Sequence, residues 1–60
     1  MCEITAYLVS SGNEEEVMQD VAVIEADGDK LVLTDILGQK KTISARIREI
    51  RLLEHKVYLE

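Results

Sequence analysis

The stretch Cys2-Glu3-Ile4-Thr5-Ala6-Tyr7-Leu8-Val9 places Cys2, Ile4, Ala6 and Leu8 on one face and Glu3, Thr5, Tyr7 and Val9 on the other. A period of two, carried by β-branched and aromatic residues, reads as a half-buried β-strand over residues 2–9. Working outward, Ser10-Ser11-Gly12-Asn13 is a turn cluster in which Gly12 or Asn13 supplies a positive φ. Glu14-Glu15-Glu16 leads into a second strand ending near Met18, and Val21 to Ala26 is a third. Asp27-Gly28-Asp29 is a hairpin signal. Leu31, Leu33 and Asp35 alternate with Val32, Thr34 and Ile36, and Leu37-Gly38-Gln39 turns the chain into a strand over 41–45. Glycines falling between apolar runs are what a meander requires.

The segment Ala45 to Leu53 carries two periods at once. Ile47, Ile50 and Leu53 recur every three residues, as in a helix, whereas Ile50-Arg51-Leu52 alternates. We expect one short helical turn near residues 45–48, then strands over 49–54 and 56–60 that close a hairpin at His55. Residues 1–60 thus form a single all-β domain, a small barrel of five to seven short strands. Closing a barrel is how so short a chain avoids two exposed sheet edges.

Composition narrows the function. Sixty residues, 47% of them hydrophobic and 32% charged, describe an ordinary globular chain at the small end of what folds unaided. One cysteine excludes an internal disulfide, so a bound metal or self-association is the remaining support. Apolar runs are broken by charge every few residues, which excludes a membrane helix, and Ile4 to Val9 lacks the basic lead of a signal peptide. A free thiol without an export signal points to the cytoplasm.

The net charge of −5 argues against nucleic acid, as does an aromatic set limited to Tyr7 and Tyr58. The seven basic residues are nonetheless uneven: Lys40, Lys41, Arg46, Arg48, Arg51 and Lys56 all lie towards the C-terminal end. The expectation is that they pair with the acidic first half once the sheets form. The alternative is a basic face for RNA built from Lys40, Lys41, Arg46, Arg48 and Arg51.

Catalytic constellations are missing from the pattern: no Cys-His pair at close spacing, no Gly-x-Ser-x-Gly, no phosphate-cradling glycine loop. Glu14-Glu15-Glu16 beside a turn reads as a solvated edge that blocks strand addition. The chain is not expected to be an enzyme. Cys2 stands apart because of its place. Removal of Met1 would leave an α-amine and a thiol on one residue, two carbons apart, able to close a five-membered chelate ring. If Met1 stays, its amine and the Cys2 amide nitrogen flank the same sulfur. The thiolate is the ligand in either case. Sulfur with amine or amide nitrogen suits square-planar Ni(II) or Cu(II), and less selectively Zn(II). One chain supplies two or three such donors, and a two-fold axis supplies four. The competing reading makes Cys2 a small buried hydrophobe on the Ile4, Ala6, Leu8 face. Met1 and Glu3 are further helper candidates, and His55, the one histidine, reads mainly as a surface turn residue.

Met1-Cys2-Glu3, followed by Thr5-Ala6-Tyr7-Leu8-Val9, resembles the start of the CooT family of small nickel-binding proteins. The likeness continues through Val21, Ile24-Glu25, Asp27-Gly28, Leu31 to Ile36 with Gly38, and Glu54-His55-Lys56 before Val57 and Leu59. It implies an SH3-like small barrel, a homodimer, and Ni(II) held through Cys2. It further implies a role in nickel handling for carbon monoxide dehydrogenase maturation, as a metallochaperone or homeostasis factor with a nickel-enzyme maturation partner. Related sequences also carry an RNA-binding label, which the charge balance does not support. A structural protein-interaction module is the third alternative.

Overall fold

The computed structural model of the chain describes residues 3–60, so Met1 and the Cys2 position on the first strand lie outside the described residues. Seven strands follow one another: β1 Thr5–Ser10, β2 Asn13–Met18, β3 Val21–Asp27, β4 Lys30–Asp35, β5 Lys40–Ile43, β6 Ile47–Arg51 and β7 Lys56–Leu59. They build a four-stranded sheet in the order β2-β1-β7-β6 and a three-stranded sheet in the order β3-β4-β5. β1 pairs antiparallel with β2, β4 with both β3 and β5, and β6 with β7, whereas β1 and β7 run parallel, with Ala6 opposite Val57 and Leu8 opposite Leu59. The first and last strands are therefore neighbours in the middle of the larger sheet.

The turns follow local chemistry. Ser11 and Gly12 both adopt positive φ, 52° and 80°, between the paired residues Ser10 and Asn13. Two positive values in a two-residue loop are the mark of the type I′ hairpin, whose twist matches that of the strands. Asp27 pairs with Lys30 across Gly28-Asp29, and Gly28 takes φ 63° at the first central position, as a type II′ turn demands.

The inward faces of both sheets meet in a core of Ala6, Val21, Leu31, Leu33, Val57 and Leu59, with Ile4, Leu8, Val17, Met18, Ile24, Ile43 and Ala45 packed around it. The inward face expected of residues 4, 6 and 8 is the one found. The opposite face carries Tyr7 and Tyr58, paired across β1 and β7 with their rings stacked 5.7 Å apart and Lys56 Nζ over Tyr7.

Two details depart from expectation. The seven strands sit in two sheets, and no ladder closes them into a barrel among the described residues. The chain crosses from one sheet to the other at Gln19-Asp20, where Asp20 takes φ 53° between β2 and β3. No helical turn forms at 45–48 either. Arg46 and Glu60 exchange both backbone hydrogen bonds, at 3.1 and 2.9 Å, which uses the groups a helical turn would need. The three-residue spacing of Ile47 and Ile50 comes from a β-bulge. Ile47 faces Leu59 and Ile50 faces Val57, three steps on β6 against two on β7.

Candidate functional site

Hydrogen bonds fix the segment that immediately follows Cys2. The Ile4 carbonyl accepts from the Val21 N–H at 2.8 Å, tying the chain to the three-stranded sheet. The Thr5 N–H donates to the His55 carbonyl at 3.0 Å, tying it to the β6–β7 turn. Glu3 is exposed at this entry point. Among the described residues the first strand begins at Thr5, with the Ile4 carbonyl engaged by the other sheet.

His55 caps the turn with φ 57°, its N–H donating to the Leu52 carbonyl at 3.2 Å. The left-handed backbone is unusual for histidine, and it is stabilised by bonds on both sides of the peptide. Sequence reading placed His55 in a hairpin turn, and that holds. It did not place the turn beside the entry to β1, since no local signal reports a parallel partner fifty residues away.

The basic residues are divided between the sheets. Lys40 and Lys41 lie on β5 in one, Arg48 and Arg51 on β6 in the other, with Arg46 just before it. Their partners are not the acidic first half that the sequence suggested. Arg51 bridges Glu49 at 3.1 Å and Glu54 at 3.0 Å, and Arg46 approaches Glu60 at 3.7 Å. Short-range pairing wins because β6 and the following turn carry their own carboxylates. Glu49 and Glu54, hydrogen-bonded to Arg51, hold its guanidinium above an already high ordinary value, so it is a cation at every working pH. Lys41 Nζ donates to the Val17 carbonyl at 3.0 Å, a link between the two sheets. Glu14, Glu15 and Glu16 are exposed on β2, an edge of the four-stranded sheet, in the edge position assigned to them.

Among the described residues no three of His, Cys, Asp and Glu stand close enough to hold a metal ion together, and no helix is long and apolar enough to cross a membrane. Cys2 is the sole thiol of the sequence.

This architecture defines a small two-sheet β module. A solved structure with the same fold is a crystal structure provisionally assigned as CooT of Carboxydothermus hydrogenoformans. It is 34% identical with a TM-score of 0.91, covering 98% of this chain and 95% of that one. An uncharacterized protein of Methanocaldococcus jannaschii is 38% identical over 60 residues, 100% of this chain and 98% of its own length. One from Methanothermobacter thermautotrophicus is 35% identical over 60 residues, 100% of this chain and 89% of its own. The family model for the CO dehydrogenase accessory protein CooT matches residues 1–60. The chain belongs to the CooT family.

Proposed function

We propose that this chain is a nickel-handling accessory protein that holds Ni(II) through the Cys2 thiolate between two copies and passes it towards CO dehydrogenase maturation, without catalysing a reaction itself. The observation that carries the reading is the family match, which extends through Cys2 at the head of the chain. The divided donors support it: the described carboxylates and His55 form no cluster of their own. Two thiolates with adjacent backbone nitrogens from a symmetric pair make the strong-field, four-donor set that Ni(II) takes in a plane. Here nickel is cargo. A nucleic-acid role for the basic residues is disfavoured, because Lys41 and Arg51 are already engaged and the cations divide between two sheets.

The test is a calorimetric titration of Ni(II) into the native chain and into Cys2→Ser. The native chain is expected to bind one ion per two copies, more weakly as the pH falls because protons compete for the sulfur. Equal affinity in the variant removes Cys2 from the site. A ratio of one ion per copy removes the sharing.

A further inference from the structure

The outer face of the four-stranded sheet carries a cleft of about 250 Å³, lined by Val9, Glu14, Arg48, Glu49, Arg51 and Tyr58. It runs across the whole sheet: Glu14 belongs to β2, Val9 to β1, Tyr58 to β7 and the other three to β6. Pairing fixes which side chains share that face. Val9 stands opposite Glu14, and Tyr58 opposite both Tyr7 and Glu49. Cross-strand partners point to the same side of a sheet, so these residues lie on the surface away from the core. Stacking on Tyr7 at 5.7 Å holds the Tyr58 ring in place. The β6 bulge supplies the remaining wall. The register slips between Ile47 and Glu49, which leaves Arg48 out of the ladder and adds its side chain to the cleft. Bulges re-aim side chains in this way beside functional sites.

The charges are sorted by strand. Arg51 is held by Glu49 and Glu54 at 3.1 and 3.0 Å, whereas Arg48 on β6 and Glu14 on β2 form no ion pair among the described residues. The lining holds two cations and two carboxylates, so a polyanion such as a nucleotide phosphate meets as much repulsion as attraction. A ligand with one charge of each sign at its two ends satisfies both margins. We infer that the cleft takes a short zwitterionic peptide of dipeptide size. Its terminal carboxylate sits on the Arg48 guanidinium, its ammonium on Glu14, and a side chain against Val9 and Tyr58. Guanidinium and carboxylate match as two planar forks. Size agrees: the cleft holds the volume of about eight water molecules at ~30 Å³ each. Its margins, β2 and β6, are three strand spacings apart, roughly 14 Å. A dipeptide spans about 7 Å of that, and the long Glu14 and Arg48 side chains cover the rest.

The experiment is a nuclear magnetic resonance titration of the metal-free protein, following backbone amide shifts. The probes are Ala-Leu, Ala-Leu amide, N-acetyl-Ala-Leu and adenosine monophosphate. Ala-Leu is expected to bind in the millimolar range and to shift Val9, Glu14, Arg48 and Tyr58 together. Removing either terminal charge of the peptide should weaken binding about fivefold, the effect of a well-placed exposed ion pair. Arg48→Gln should erase the difference between Ala-Leu and its amide, and Glu14→Gln the difference between Ala-Leu and its N-acetyl form. Lys30→Gln, on β4 and outside the cleft, should change neither. The site uses no residue of the nickel reading, so Cys2→Ser should leave peptide binding unchanged. Well-dispersed spectra confirm that the variants are folded. Absence of shifts at the cleft, capped peptides that bind as well as Ala-Leu, or adenosine monophosphate binding there more tightly than Ala-Leu would each overturn the inference.

Discussion

Replacing Leu33 by alanine should remove most of the stability of this protein. Leu33 lies in the middle of β4, is fully buried, and sits between Ile24 on β3 and Lys41 on β5. A leucine truncated in a closed core costs about 2–5 kcal/mol, the transfer loss plus the cavity left behind. A sixty-residue domain holds roughly 3–9 kcal/mol in total. With a urea slope near ~1 kcal/mol per molar for so small a chain, the unfolding midpoint should fall by about 2 M or more. The companion is Val23→Ala, one strand over but on the outer face and 45% exposed, with an expected cost of about 0.5 kcal/mol. All chains are measured at one concentration, so that any concentration dependence is common to them. The assay is urea denaturation followed by far-ultraviolet circular dichroism. Midpoints that fall together, or a Leu33→Ala loss under 1 kcal/mol, would refute the placement of the core between the two sheets.

Two further outcomes follow from the turns and edges. Gly28→Ala should lower the melting temperature by about 4–8 °C, the effect of about 1 kcal/mol of left-handed backbone strain, because a Cβ there meets nothing within 4 Å; Gly28→Asn should lose less, and a variant that fails to fold would contradict the open surroundings. Glu15→Val should leave the fold intact but lower the concentration at which light scattering rises, since Glu15 stands opposite inward-facing Leu8 and puts a charge on the edge strand; unchanged scattering would mean that β2 needs no such guard.

Much of the fold is legible in the residues themselves. The alternation of residues 4 to 9, the Gly12 and Gly28 turns and the inward pair Leu31 and Leu33 are local signals, and each appears where the pattern puts it. What misleads is the bulge. An extra residue in β6 turns a two-residue period into a three-residue one, and Ile47 to Ile50 then imitates a helical turn. A bulge is set by the partner strand, so a single segment does not announce it. The parallel pairing of β1 with β7 is hidden for a related reason, since it depends on how two hairpins dock. Of the candidate site, Cys2 is conspicuous for its chemistry and its place at the start of the chain, and the resemblance of the flanking residues named the family correctly. The turn at Leu52-Leu53 is invisible in one dimension, because 49–54 reads as one strand until the chain is folded, whereas Leu37 falls in the turn that Gly38 announces.

The parallel contact between β1 and β7 has a bearing on how the protein is made. During synthesis the opening strand leaves the ribosome with one lateral neighbour, β2, and waits for almost the entire remaining chain before the other is available. The anchor at His55 that steadies Thr5 arrives just as late. A prematurely terminated product would therefore carry the cysteine but not the frame that orients the residues following it.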